Sequence, residues 1–145
     1  MSAVEYLLDF LEKELCRLKR KGMQKNEPVA LLTCSGTVEQ GIESATDLGF
    51  PTANIRFEAP DISGTYAGKV LVGKDEYYAA VYANRKRRLL EAHLLDFSGD
   101  LYGKPITVIL LERLAEAKVF LDPEDQRNFV ERAVAEVERY FNRIQ

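Results

Sequence analysis

Apolar positions recur every three or four residues at both ends of the chain and cluster into short runs between them. Over residues 3–21, Val4, Leu7, Leu8, Leu11, Leu15 and Leu18 keep helical spacing, which predicts an amphipathic helix. Glu5 and Asp9 lie early in it, and Arg17, Lys19, Arg20 and Lys21 lie late, the order that the helix dipole favours. Gly22 reads as its C-cap and residues 22–28 as a linker. Five runs then change the period: 29–38, 65–72, 76–83, 88–97 and 105–114 are apolar, β-branched or aromatic and predict strands. Gly73-Lys74-Asp75, Ser98-Gly99-Asp100 and Gly103-Lys104 punctuate them, the first short enough for a tight hairpin. The last segment returns to helical spacing, with Asp122 as N-cap, Pro123 at N1 and Asp125 at N3. Phe129, Val130, Ala133, Val137, Tyr140, Phe141 and Ile144 line one face of it. Helix, strands, helix predicts an α+β or mainly-β domain whose strands form an antiparallel barrel or sandwich. The expected division is 1–28, helix and linker, and 29–145, barrel with C-terminal helix.

Composition narrows the class. A chain of 145 residues is one ordinary domain, large enough to need no metal or disulfide staple. Its net charge of −3 gives no global case for nucleic acid or an anionic membrane. No apolar run approaches a membrane span, and no signal peptide is expected because Glu5 and Asp9 interrupt the N-terminal apolar residues. Cys16 and Cys34 fit no zinc spacing and suit a reducing, cytoplasmic setting. The single histidine, His93, excludes a pair of histidines as metal ligands or catalysts.

Two segments carry candidate chemistry. In Leu48-Gly49-Phe50-Pro51-Thr52-Ala53-Asn54, Gly49 and Pro51 set a turn, and Thr52 and Asn54 share one face of an extended chain. A hydroxyl and an amide oxygen presented together suit Mg²⁺ or phosphate; they equally suit the local backbone of a turn entering a strand. In residues 89–97 (LLEAHLLDF), Glu91 and His93 share a strand face with Leu89, Leu95 and Phe97, and Asp96 points the other way. A carboxylate on an apolar face is a candidate general base, or else an ion-pair partner of the adjacent Arg85–Arg88 cluster. That cluster reads as a solvated loop or as a contact for phosphate or RNA.

Three stretches in order, LGFPTANI (48–55), GTYAGKV (64–70) and EAHLLDFSGDLYGK (91–104), resemble the riboflavin kinase (flavokinase) family over roughly residues 29–143. The resemblance implies a six-stranded antiparallel Greek-key β-barrel followed by a long C-terminal helix. It also implies transfer of the ATP γ-phosphoryl to the riboflavin 5′-hydroxyl, giving FMN and ADP with Mg²⁺. Residue by residue, it implies that Thr52 and Asn54 hold the metal and nucleotide phosphate and that Glu91 is the base. Gly41, Gly49, Pro51, His93 and Asp96 would lie on the nucleotide side and Phe120 on the flavin side. A monomeric, single-domain cytoplasmic enzyme is expected, with the N-terminal helix docked on the barrel or on a partner.

The sequence departs from the family pattern in three places. A glycine- and arginine-bearing loop is replaced by Gly41-Ile42-Glu43-Ser44-Ala45-Thr46-Asp47, the loop before Glu91 is cut to Asn84–Arg88, and an arginine position is Ala115. These departures leave a second reading open: a flavin- or nucleotide-binding barrel with little or no kinase activity.

Overall fold

The computed structural model describes residues 2–22, 28–40 and 52–144. Its elements are α1 (Ala3–Gly22), β1 (Leu32–Thr37), β2 (Thr52–Arg56), β3 (Gly64–Val72), β4 (Asp75–Asn84), β5 (Leu89–Leu94), β6 (Pro105–Ala115) and α2 (Pro123–Ile144). The chain divides into two compact units, one built on α1 and one spanning Ala30–Arg143. Neither helix is long and apolar enough to cross a membrane.

Helix α1 begins with a capping box. Ser2 Oγ accepts the Glu5 N–H and Glu5 Oε2 accepts the Ser2 N–H, each at 3.2 Å. Val4, Leu7, Leu8 and Leu11, the start of the expected apolar stripe, are exposed.

In the larger unit the strand order is β1-β6-β3-β4-β5-β2, with every pairing antiparallel. Strands β3, β4 and β5 run as a meander and β6 returns beside β3, the Greek-key order. The two edges meet where Glu39 N–H donates to the Asn54 carbonyl at 2.7 Å, so the sheet nearly closes into a barrel. Alternation explains the filling. Ile55, Val70, Val81, Leu90, Val108 and Leu110 are fully buried in one cluster inside it.

Turn chemistry follows the sequence. Gly73 leads the two-residue β3–β4 turn at φ 60°, the placement of glycine in a type II′ hairpin. Gly64 opens β3 at φ 98°, and a Cβ there would run into the Ala115 carbonyl on β6. The structure also corrects the strand map. Only 32–37 of the run 29–38 is strand, and the run 88–97 stops at Leu94, because Asp96 adopts φ 54° and turns the chain away. Leu95 and Phe97 therefore leave the face expected for them; the Phe97 ring packs edge-on against Tyr77 at 5.1 Å.

Helix α2 starts as its cap sequence requires, with Asp122 Oδ1 accepting the Asp125 N–H at 2.8 Å. It buries Val130, Ala133, Val137, Tyr140 and Phe141. Phe141 stacks on Tyr78 of β4 with ring centroids 3.7 Å apart, which sets the helix against the outer face of the sheet.

Candidate active site

A cavity of about 450 Å³ lies between the outer face of β2–β5 and the N-terminal half of α2. Its polar wall is made by register. Thr65, Tyr82, Glu91 and Asn54 stand opposite one another in a row across β3, β4, β5 and β2, and Ala80, His93 and Thr52 form a second row beside it. All seven line the cavity. Phe120, Phe129, Val130 and Ala133 form the apolar wall, with Asn84, Lys86 and Lys118 at its margins. The Phe120 and Phe129 rings lie 5.0 Å apart, and the Lys118 ammonium sits 5.9 Å from each.

Burial raises the Glu91 carboxyl above its usual range; a hydrogen bond from the Asn84 side chain and the Arg87 charge pull it back down. Asn84 Oδ1 accepts the Arg87 N–H at 3.2 Å, so its amide nitrogen is the group left to donate to Glu91. Burial and the nearby Glu91 charge raise Tyr82. His93 is neutral, pushed down to about 4 by burial, with its Nδ1 3.4 Å from Thr52 Oγ1. Asn54 is 4% exposed, and its Oδ1 meets no hydrogen-bond partner among the described residues. An orphaned amide oxygen beside a threonine hydroxyl is a neutral, hard-oxygen donor set, which fits Mg²⁺ completed by phosphate and water.

Of the residues singled out in the sequence, Thr52, Asn54, Glu91, His93 and Phe120 come together in this cavity. Asp96 is exposed in the turn after β5 and does not line it. Gly41, Gly49 and Pro51 lie outside the described residues. The Arg85–Arg88 loop is exposed: Arg87 acts on Glu91, and Arg88 lies 3.8 Å from Glu58. Sequence reasoning missed Thr65, Tyr82 and Phe129 as cavity residues; Asn84 and Lys86, also in the lining, belong to the basic run read as a solvated loop or a phosphate contact. Phe129 looked like core because helical periodicity marks a face, not what covers it. Tyr82 and Thr65 are revealed only by the strand register.

The comparisons agree with this architecture. The family model for riboflavin kinase (flavokinase) matches residues 30–141. A bifunctional riboflavin kinase/FMN adenylyltransferase from Haemophilus influenzae is 33% identical over 116 residues, 74% of this chain and 38% of that protein. The chain thus spans about two fifths of the length of that curated relative. Two crystal structures share the fold. One, described as a macrolide-efflux protein from Streptococcus pneumoniae, has a TM-score of 0.64 at 21% identity, covering 74% of this chain and 38% of that one. The other, riboflavin kinase from Trypanosoma brucei, has a TM-score of 0.57 at 19% identity, covering 76% of each chain. With the family model spanning the barrel and most of α2, the chain belongs to the riboflavin kinase family.

Proposed function

We propose that this chain transfers the γ-phosphoryl group of ATP to the 5′-hydroxyl of riboflavin, giving FMN and ADP. The reading rests above all on one observation: Glu91, half-buried and held by Asn84, opposite the orphaned oxygen of Asn54 in one cavity. Glu91 accepts the proton of the ribityl hydroxyl as that oxygen attacks the γ-phosphorus. The bond from phosphorus to the β,γ-bridging oxygen breaks, and ADP leaves with the electron pair. Burial makes Glu91 a stronger base than a solvated carboxylate, and Asn84 fixes its orientation. Thr52 and Asn54 would hold Mg²⁺, which when bound offsets phosphate charge. Phe120 and Phe129 offer apolar area to the flavin ring. His93, neutral and buried, positions Thr52 and adds no charge to the phosphate side. We assign the protein to the cytoplasm, the compartment that suits the free thiol of Cys34.

The test is FMN formation from riboflavin and ATP with and without Mg²⁺, read by chromatography. Wild type is expected to form FMN only when all three are present. Glu91→Gln should lower kcat about 10²–10⁴-fold while keeping riboflavin affinity. No FMN from wild type overturns the reading; tight binding of FMN or ADP without turnover would instead support a binding barrel.

A further inference from the structure

The row that holds Glu91 has a second unsatisfied end. Thr65 is 3% exposed, and its Oγ1 meets no hydrogen-bond partner among the described residues. The row runs Asn54, Glu91, Tyr82, Thr65, so a buried, orphaned polar atom stands at each end of it. Both residues line the main cavity. Buried hydroxyls are almost always paired, and leaving one unpaired costs stability that a bound group can recover. Two strand spacings separate Thr65 from Glu91, roughly 10 Å. Thr65 also lines a smaller cavity of about 220 Å³, which shares Lys118, Phe129 and Ala133 with the main one and adds Leu114, Ala115, Arg132 and Glu136. The end of the site away from Glu91 therefore combines an aromatic wall, an unused hydroxyl and a lysine ammonium.

We infer that Thr65 is a specificity-determining residue: its hydroxyl donates to a carbonyl or ring-nitrogen edge of an aromatic heterocycle whose reactive hydroxyl lies at Glu91. The inference rests on the reading of Glu91 as the site of transfer. An acceptor edge matches the Thr65 O–H and the Lys118 ammonium, which both donate. A hydrocarbon edge at the same place leaves the hydroxyl unpaired, so the site selects which edge of the ring faces β3 and disfavours analogues that lack the acceptor.

Thr65→Val keeps the side-chain shape and removes only the hydroxyl; Thr65→Ser keeps the hydroxyl. The experiment measures riboflavin binding by flavin fluorescence quenching, steady-state kinetics and Tm, all on the full chain. Thr65→Val is expected to raise Kd and KM for riboflavin about tenfold, while KM for ATP and kcat stay within about twofold. Its Tm should rise, because an orphaned polar group is gone. Thr65→Ser should restore riboflavin affinity to within about threefold of wild type, and Thr65→Ala should repeat the loss. If wild type makes FMN but Thr65→Val and Thr65→Ala bind riboflavin as wild type does, this inference is overturned and the kinase reading stands. If wild type neither binds nor phosphorylates riboflavin, the kinase reading falls and takes this inference with it.

Discussion

Leu90, Ala92 and Leu94 of β5 point into the barrel and are buried, whereas Glu91 and His93 alternate with them toward the cavity beneath α2. The inner face is complete on folding: its side chains need only one another. The outer face is left incomplete. It holds a half-buried carboxylate, an imidazole forced neutral, and, on neighbouring strands, the two orphaned oxygens of Asn54 and Thr65. One six-residue strand thus turns Leu90, Ala92 and Leu94 into the core and Glu91 and His93 toward the cavity. Groups that folding fails to satisfy mark where a ligand is expected.

The comparison breaks most visibly at adjacent residues 90 and 91. Glu91→Gln is expected to remove most of the turnover, and at neutral pH its Tm should rise, because burial penalises the charge that the substitution removes. Leu90→Ala should do the reverse. It deletes a fully buried side chain at a cost of about 2–5 kcal/mol, read by urea denaturation, with kcat per folded molecule unchanged. If Leu90→Ala lowers kcat as far as Glu91→Gln does, the two faces are not separable and the division fails.

Much of this contrast was legible in the sequence, and the rest was not, for a physical reason. The alternation LLEAHL separates the two faces of β5, and Asp122 through Asp125 mark the start of α2, because periodicity and caps are local. Thr52, Asn54, Glu91 and His93 stand out by spacing within their own segments, whereas their roles, and Phe120 altogether, come from the resemblance. Strand β2 escaped the pattern because T-A-N-I-R carries polar residues on its outer face, as a turn would. The row from Thr65 to Asn54 could not be read at all. It depends on the register of four strands spread over some forty residues, and register is a tertiary property. The capping box at Ser2 and Glu5 has a local signature, S-x-x-E, that is separate from the charge gradient of the same helix.

The outer face also predicts a pH response of known sign. His93 titrates at about 4 in the folded chain and at about 6.5 when unfolded. The unfolded chain therefore takes up the proton first. The stability contributed by neutral His93 is full above about pH 6.5 and is lost as pH falls toward 4, on the order of 3 kcal/mol in all. Glu91 acts in the opposite sense: its raised folded value gives stability that is present at low pH and lost as pH rises through that value. Measuring denaturation against pH in metal-free buffer in the Glu91→Gln background isolates the histidine. The acid slope should remain there and flatten when His93→Gln is added. A slope that survives both changes would assign the acid sensitivity to other groups and weaken the account of the outer face.

A smaller effect sharpens the comparison at the two ends of α2, the helix that covers this face. Asp122 caps its start through a 2.8 Å bond to a backbone N–H that has no partner within the helix. Arg143 joins its end to Glu112 of β6 at 3.0 Å, with both side chains exposed. Removing the cap orphans a donor, so Asp122→Ala should cost about 1 kcal/mol. Breaking the exposed pair returns two charges to water, so Glu112→Ala should cost well under 1 kcal/mol, and less as salt rises. The functional difference should be larger than the stability difference. The start of α2 carries Gln126 and Phe129 into the cavity, whereas its end carries Tyr140 and Phe141 onto the sheet outside it. Fraying at Asp122 should therefore raise the riboflavin KM, while Glu112→Ala leaves it unchanged. Equal KM shifts in the two variants would mean that α2 moves as one rigid rod and that its first turn has no separate part in holding the ligand.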